Sequence, residues 1–131
     1  MKKILIADDE PHVSRVLKQS LERSGYLVET VLHGEAALEK LQQSHPDVLI
    51  TDIQMPRMSG EELCRRIQQE MPGRCFLIFV LTSRTEIEHR EWSRQIDNLM
   101  FLEKPVSIRR LISMLNEYFA KDPCNRENQD E

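Results

Sequence analysis

Short apolar runs alternate with segments of helical periodicity along almost the whole chain, and this alternation constrains the fold more than any other feature. The apolar runs lie at residues 4–7, 26–32, 47–51, 76–81 and 99–102. The run at 76–81 has six apolar residues and no polar one, which is typical of a strand covered on both faces. Strands that alternate with helices predict a parallel sheet with helices on both sides.

The segments between these runs carry start and stop signals of helices. Helices are expected from Pro11 up to Gly25, over 34–43, from Ser59 to a stop at Pro72, over 84–95 and after Ser107. Ser59 and Glu62 have the spacing of a capping box, in which each side chain bonds to the other's backbone amide. The segment 84–95 is mostly charged and forms the weakest of the five helical patterns.

Five strands and five helices predict a three-layer, doubly wound (βα)5 α/β fold of the flavodoxin-like class. Strands 1, 3 and 4 are the most apolar and should be central, which favours the strand order 2-1-3-4-5. The domain is expected to span residues 1–121, followed at 122–131 by a polar tail that is expected to be disordered.

Composition excludes several classes of protein. The chain has 131 residues, with 18 Lys and Arg against 22 Asp and Glu, and no basic face is evident that would predict nucleic-acid binding. No apolar stretch approaches the roughly 20 residues of a membrane span, and the first apolar run is too short for a signal peptide. The three cysteines lack CxxC spacing, so we expect reduced thiols in a cytoplasmic protein and no zinc site. The four histidines are widely spaced and predict no metal site.

Polar residues follow four of the predicted strands at the point where each strand ends. Asp8 and Asp9 follow strand 1, Asp52 follows strand 3, Thr82 follows strand 4 and Lys104 follows strand 5. The carboxyl ends of parallel strands lie at one edge of the sheet, where ligands bind in this class of fold. We therefore expect these five side chains to lie together.

Three neighbouring carboxylates need a counter-charge. Two unit charges ~4 Å apart repel by about 4 kcal/mol at an effective dielectric constant near 20, and oxygen ligands in an open site suit Mg²⁺. With Lys104 and Thr82 nearby, such a site has the parts needed for phosphoryl transfer. The alternative is that the acids cap the following helices. Capping would account for Asp9, but it accounts poorly for Asp52 and not at all for Lys104.

These residues stand within longer motifs. The motifs are Ile-Ala-Asp-Asp-Glu at 6–10, Asp52 with Met-Pro at 55–56 and Met-Ser-Gly at 58–60, Leu-Thr-Ser at 81–83 and Lys-Pro at 104–105. Asp52 follows Asp9 by 43 positions, Thr82 follows Asp52 by 30, and Lys104 follows Thr82 by 22. In these motifs and spacings the chain resembles a response-regulator receiver domain of two-component signalling, over about residues 2–121.

The resemblance implies a role for each acidic residue. Asp52 would be the phosphoacceptor, taking a phosphoryl group from a histidine kinase or a histidine phosphotransfer protein. Asp9 and Asp52 would bind Mg²⁺ directly, Asp8 would do so largely through water, and the backbone carbonyl of Gln54 would complete the set. Such a domain is a signalling module and not an enzyme with an external substrate; it catalyses only its own phosphorylation and dephosphorylation.

The resemblance also implies a switch. Thr82 would move to bond the phosphoryl group, Lys104 would pair with it, and Phe101 would turn as Thr82 moves. The surface formed by the fourth helix, the fifth strand and the fifth helix would then change and control a protein partner or an output domain. The same surface would support a monomer or a weak dimer. No direct nucleic-acid or membrane binding by this domain is implied, and the location would be cytoplasmic.

Several positions depart from the usual receiver pattern. Val106 replaces the commoner Phe, Ser83 replaces Ala, Phe101 lacks the hydroxyl of the frequent Tyr, and residues 95–98 replace a turn that contains Gly and Ala. These positions lie near the predicted switch surface and bear on partner choice, not on the acceptor chemistry.

Two other functions remain open from the sequence. A phosphohydrolase of the haloacid-dehalogenase type also uses Asp, Thr or Ser, Lys and Mg²⁺, but it needs an acid two residues after its nucleophile, where this chain has Gln54. An interaction domain that works without phosphorylation is disfavoured because every residue type of the acceptor site is present.

Overall fold

The computed structural model describes residues 1–83 and 91–121. The strands are β1 (Lys3–Ala7), β2 (Leu27–Val31), β3 (Val48–Asp52), β4 (Leu77–Thr82) and β5 (Leu99–Glu103). The α-helices in the described residues are α1 (Pro11–Arg23), α2 (Gly34–Gln43), α3 (Gly60–Glu70) and α4 (Ile108–Ala120), and a 3₁₀ helix spans Glu91–Gln95.

The five strands form one parallel sheet in the order β2-β1-β3-β4-β5. The predicted strand order and the central position of strands 1, 3 and 4 are confirmed. Every residue of β3 and β4 is buried, because helices cover both faces of these strands. The strand ends lie within one residue of the predicted ones.

The apolar core has two layers, one on each face of the sheet. On one face, α1 and α4 contribute Leu17, Leu21, Leu111 and Leu115. On the other face, α2 and α3 contribute Leu38, Leu41, Leu63 and Ile67. This arrangement confirms the predicted three-layer, doubly wound fold.

Local sequence signals set where three helices begin. Pro11 occupies the first turn of α1, where its missing amide costs no helical hydrogen bond. The Ser59 hydroxyl accepts a hydrogen bond from the amide of Glu62 at 3.1 Å and caps α3. The Ser107 hydroxyl accepts one from the amide of Arg110 at 3.3 Å and caps α4. Both predicted serine caps are therefore confirmed.

The structure corrects two predictions. The described end of the predicted helix over 84–95, Glu91–Gln95, is a 3₁₀ helix with no buried residue, because its charged side chains offer no apolar stripe to pack. Residues 84–90 and the predicted tail at 122–131 lie outside the described residues. Cys64 is a free, buried thiol, but Cys75 is disulfide-bonded, so the prediction of three reduced thiols is wrong at Cys75.

Within the described residues, no helix is both long enough and apolar enough to cross a bilayer.

Candidate functional site

The sheet register determines which polar residues meet at its carboxyl edge. Ala7 pairs with Thr51, Asp52 pairs with Leu81, and Thr82 pairs with Glu103. The residues that end or follow β1, β3, β4 and β5 therefore reach the same edge. This juxtaposition was predicted from the polar residues that follow the strands and from the parallel direction of the strands.

Asp52 ends β3 and lies at the centre of this edge with only 3% of its surface exposed. The Lys104 ammonium lies 2.9 Å from each of its two carboxylate oxygens. The Ile53 amide donates a hydrogen bond to Asp52 Oδ1 at 2.8 Å. A buried carboxylate is stabilised by a neighbouring cation and a backbone donor, so these contacts hold the Asp52 carboxylate in one orientation.

Four carboxylates meet beside Lys104. One oxygen each from Asp8, Asp9, Glu10 and Asp52 lies within 4.8 Å of the others. Asp8 is almost fully buried, and its Oδ1 accepts a hydrogen bond from the Glu10 amide at 2.9 Å. Burial raises the pKa of the Asp8 carboxyl, and the nearby Asp52 charge adds to the rise, while the Glu10 amide opposes it. The cluster therefore carries more negative charge than Lys104 neutralises.

A glycine holds the loop after Asp52 close to the end of β3. A Cβ atom on Gly60 would overlap the Asp52 carbonyl oxygen. The Gly60 amide donates to the Ile53 carbonyl at 2.7 Å. The start of α3 thus packs directly on the backbone of Asp52, and only glycine leaves room for this contact.

Thr82 ends β4 and is fully buried. Its Oγ1 atom has no hydrogen-bond partner among the described residues. Buried hydroxyls are normally bonded, so an unbonded hydroxyl at a ligand-binding edge is a donor held ready for an acceptor oxygen. The Thr82 carbonyl accepts from the Lys104 amide at 2.7 Å, which ties the two residues together.

The two remaining predicted site residues, Gln54 and Phe101, lie at the margin of the site. Gln54 is exposed in the loop two residues after Asp52, and its role as a carbonyl ligand stays a prediction. Phe101 is half-buried on β5 and contacts Trp92 edge-on, with ring centroids 5.8 Å apart. Phe101 thus links β5 to the 3₁₀ helix.

The donor set fits a hard divalent cation. Carboxylate and carbonyl oxygens are the ligands that Mg²⁺ accepts, and a pair of mutually repelling buried acids gains most from a bound cation. The unbonded Thr82 hydroxyl adds a donor that suits an anionic group and not the metal itself. The site therefore fits a metal together with an oxyanion.

Glu10 is the one member of the carboxylate cluster that was not predicted. It is the N-cap residue of α1, yet its side chain makes no capping hydrogen bond, because its carboxylate lies with the other acids. Its position directly after the Asp8–Asp9 pair was the only available signal. The alternative that Asp9 caps the following helix is wrong, since Glu10 and not Asp9 occupies the N-cap position.

The comparisons with known proteins agree with this geometry. The family model described as "Response regulator receiver domain" matches residues 4–116. The chain is 34% identical over 110 residues to the alkaline phosphatase synthesis transcriptional regulatory protein PhoP of Bacillus subtilis, covering 84% of this chain and 45% of that protein. It is 40% identical over 90 residues to the phosphate regulon transcriptional regulatory protein PhoB of Rhizobium meliloti, covering 69% of this chain and 40% of that protein. The chain thus spans less than half the length of these curated relatives.

Solved structures show the same fold. The chemotaxis response regulator CheY4 of Vibrio cholerae superposes with a TM-score of 0.80 at 30% identity, covering 89% of this chain and 98% of that one. The response regulator TrrA of Thermotoga maritima, in complex with Mg²⁺ and BeF, superposes with a TM-score of 0.78 at 31% identity, with the same two coverages.

Proposed function

Because this chain belongs to the response regulator receiver family, we propose that it accepts a phosphoryl group on Asp52 and signals through the change in its surface that follows. The observation that carries the proposal is the contact of the Lys104 ammonium with both oxygens of the buried Asp52 carboxylate, at 2.9 Å each. A carboxylate in this setting is oriented, and it lies next to a cation that can pair with the phosphoryl oxygens.

In the proposed step, one Asp52 oxygen attacks the phosphorus of a phosphohistidine on a donor protein. The P–N bond breaks and its electron pair returns to the imidazole, while Asp52 becomes an acyl phosphate. The signal ends by hydrolysis. Water attacks the phosphorus, the bond from phosphorus to Asp52 breaks, and inorganic phosphate leaves. The domain catalyses only these two reactions of its own side chain.

The charges around Asp52 support phosphoryl transfer. The Lys104 ammonium pairs with a phosphoryl oxygen, and the Thr82 hydroxyl donates to another. Mg²⁺, held directly by Asp9 and Asp52, through water by Asp8, and by the Gln54 carbonyl, would neutralise the phosphoryl oxygens and orient them. Without such a cation, an incoming phosphoryl group would meet the uncompensated charge of the carboxylate cluster.

The proposed phosphodonor is a histidine kinase or a histidine phosphotransfer protein. An apolar cleft of about 500 Å³ opens between α1 and the loop after β5, and Asp8, Lys104 and Val106 line it together with Val13 and Val16 of α1. We propose that the phosphodonor contacts this cleft, because Asp8 and Lys104 belong both to its lining and to the surroundings of Asp52. The domain proper is proposed to be residues 1–121, followed by the polar tail, in a cytoplasmic protein.

The proposed output is a change in the surface made by residues 91–96, β5 and α4. When Thr82 moves toward the phosphoryl group, the half-buried Phe101 turns toward the space that Thr82 leaves, and its contact with Trp92 changes. This surface then binds or releases a protein target, or a second copy of the chain as a weak dimer. No direct nucleic-acid contact is proposed for this domain.

The test of the acceptor is phosphate uptake from acetyl phosphate in the presence of Mg²⁺. We expect wild type to incorporate phosphate, and Asp52→Asn to incorporate none because an amide oxygen is a poor nucleophile. Asp47→Asn is the matched control: Asp47 lies at the opposite edge of the sheet, where its carboxylate accepts from the Lys3 amide at 2.8 Å. Unchanged uptake by Asp52→Asn would reject the assignment and favour a domain that works without phosphorylation of Asp52.

The phosphohydrolase alternative lacks its second acid. Position 54 is an exposed Gln, while the additional acids precede Asp52 in the chain and follow β1. The site therefore offers no general acid on the loop after Asp52 to protonate the leaving group of an external substrate.

A further inference from the structure

The turn between the 3₁₀ helix and β5 is fixed by polar contacts far from the acceptor site. Asp97 and Gln68 of α3 bond to each other twice: Gln68 Nε2 donates to Asp97 Oδ2 at 3.3 Å, and the Asp97 amide donates to Gln68 Oε1 at 3.2 Å. The Arg74 guanidinium donates to the Asp97 carbonyl and, at 2.5 Å, to the Phe76 carbonyl. The backbone at Asp97 is thus held from two directions.

Asn98 holds the next position of the turn. Its φ angle is 53°, in the left-handed region that asparagine tolerates better than most residues. Its side-chain amide donates to the Cys75 carbonyl and to the Tyr118 hydroxyl, both at 3.2 Å, and Tyr118 also donates to the Cys75 carbonyl at 3.4 Å. The Asn98 carbonyl accepts from the Ile78 amide at 3.0 Å. We call this set of residues (Gln68, Arg74, Asp97, Asn98 and Tyr118) the turn anchor.

The residues just before the turn anchor are held in a different way. The 3₁₀ helix Glu91–Gln95 buries no residue, and 3₁₀ hydrogen bonds have poorer geometry than α-helical ones. Ile96 is buried in the core, and Trp92 packs edge-on against Phe101. Trp92 packs residues 91–95 against the core, whereas hydrogen bonds of the turn anchor hold residues 97 and 98.

We propose that the turn anchor is a fixed boundary: it confines the rearrangement that follows phosphorylation of Asp52 to residues before Asp97 and leaves the β5 backbone stationary. Phe101 then rotates over an unmoving strand, so the β5 side of the output surface changes through side chains alone. The inference rests on the proposed function, because it concerns the response to phosphorylation. It accounts for the presence of Asp97 and Asn98 where the usual turn contains Gly and Ala, because the side chains of these two residues make anchoring bonds.

The test is amide hydrogen exchange with and without beryllofluoride and Mg²⁺. In wild type we expect altered exchange at residues 91–96 and exchange at residues 97–101 unchanged within about twofold, since the anchoring bonds persist in both states. Changes at 97–101 as large as those at 91–96 would overturn the proposal.

Two variants release the turn anchor without blocking the fold. Asn98→Gly keeps the left-handed backbone and removes the side-chain bonds, and Gln68→Met removes both bonds to Asp97 at nearly constant volume. Each should speed exchange at 97–101 by about fivefold, corresponding to ~1 kcal/mol in total for the two exposed bonds that each variant loses, and beryllofluoride should then alter these residues too. Gln69→Met, at the neighbouring exposed position of α3, is the control and should leave exchange unchanged.

Failure of this inference and failure of the proposed function give different results. If beryllofluoride leaves exchange at residues 52–58 unaltered, the acceptor assignment fails, while exchange at 97–101 in Asn98→Gly without ligand still tests the anchor. If that exchange equals the wild-type rate, the anchor is rejected whatever the acceptor does. A change of several-fold in the beryllofluoride affinity of either variant would also reject it, because a boundary that is the same in both states does not bias the switch.

Discussion

The position of Asp52 depends both on the residue that packs on its backbone and on the groups that contact its carboxylate. Lys104 and the Ile53 amide orient the side chain, while Gly60 lies against the Asp52 carbonyl oxygen. Because the start of α3 and the end of β3 are in direct contact, the position of Asp52 depends on a residue that has no side chain.

Gly60→Ala should therefore destabilise the fold and displace Asp52. The added methyl would meet backbone atoms that have little room to move, and we expect a loss of about 3 kcal/mol in the free energy of unfolding, measured by urea denaturation. Gly73→Ala is the control, since a Cβ there meets nothing within 4 Å. Equal stability of the two variants would show that the α3 contact is looser than described.

The stability of the metal-free protein should depend on pH through the Asp8 carboxyl. Burial, with help from the Asp52 charge, raises the pKa of the Asp8 carboxyl, so the folded state holds this proton to a higher pH than the unfolded chain does. The contribution of Asp8 to stability is then greatest at low pH and decreases as pH rises from the ordinary range of an aspartate through the raised pKa. Asp8→Asn should remove this decrease and raise Tm at neutral pH without Mg²⁺. Identical pH profiles of Tm for the two proteins would contradict this account of the cluster.

At the scale of elements, the parts around the site differ in how firmly they are held. β3 and β4 are buried along their whole length, whereas the 3₁₀ helix Glu91–Gln95 buries none of its residues. An element with few buried contacts is easily shifted. Its Trp92, the single tryptophan of the chain, lies against Phe101 of β5 and so can report on the proposed switch.

Trp92 fluorescence should change when beryllofluoride and Mg²⁺ bind. The expected cause is rotation of Phe101 away from its edge-on contact, which exposes the indole to a different environment. Phe101→Leu should reduce the fluorescence change and leave beryllofluoride affinity within a few-fold, because the leucine side chain would not contact the phosphoryl group. A full-sized change in this variant would show that Trp92 responds through some other route.

The elements were predictable where local patterns decide them. The apolar runs determined the strands, and Ser59 and Ser107 determined the starts of α3 and α4, because a cap acts within one helical turn. The convergence of Asp8, Asp52 and Lys104 followed from their positions at the carboxyl ends of parallel strands. The 3₁₀ helix, the Glu10 carboxylate and the turn anchor were not predictable, since each depends on contacts between residues distant in sequence or on a choice between competing local hydrogen bonds.

At the scale of the whole molecule, the carboxylate cluster joins the stability of the fold to its ligand. Four carboxylates lie within 4.8 Å of one another at the edge of the sheet, and their repulsion opposes folding in the absence of a cation. A cation that binds only the folded state stabilises it by mass action.

Millimolar Mg²⁺ should therefore raise Tm at low ionic strength. At a concentration 100-fold above its Kd, the stabilisation is about 2.7 kcal/mol. Asp9→Ala should weaken this effect, whereas Glu35→Ala, which changes an exposed acid on α2, should not. Indifference of wild-type unfolding to Mg²⁺ would show that the cluster does not bind the metal as proposed.

The central claim is that Asp52 is the phosphoacceptor, and direct localisation of the acyl phosphate tests it most directly. Wild-type protein would be treated with acetyl phosphate, with and without Mg²⁺, reduced with borohydride to trap the acyl phosphate, and mapped by peptide mass spectrometry. The account predicts reduction at Asp52 alone, and only when Mg²⁺ is present. Trapping at any other carboxylate of the cluster, or equal trapping without Mg²⁺, would contradict it.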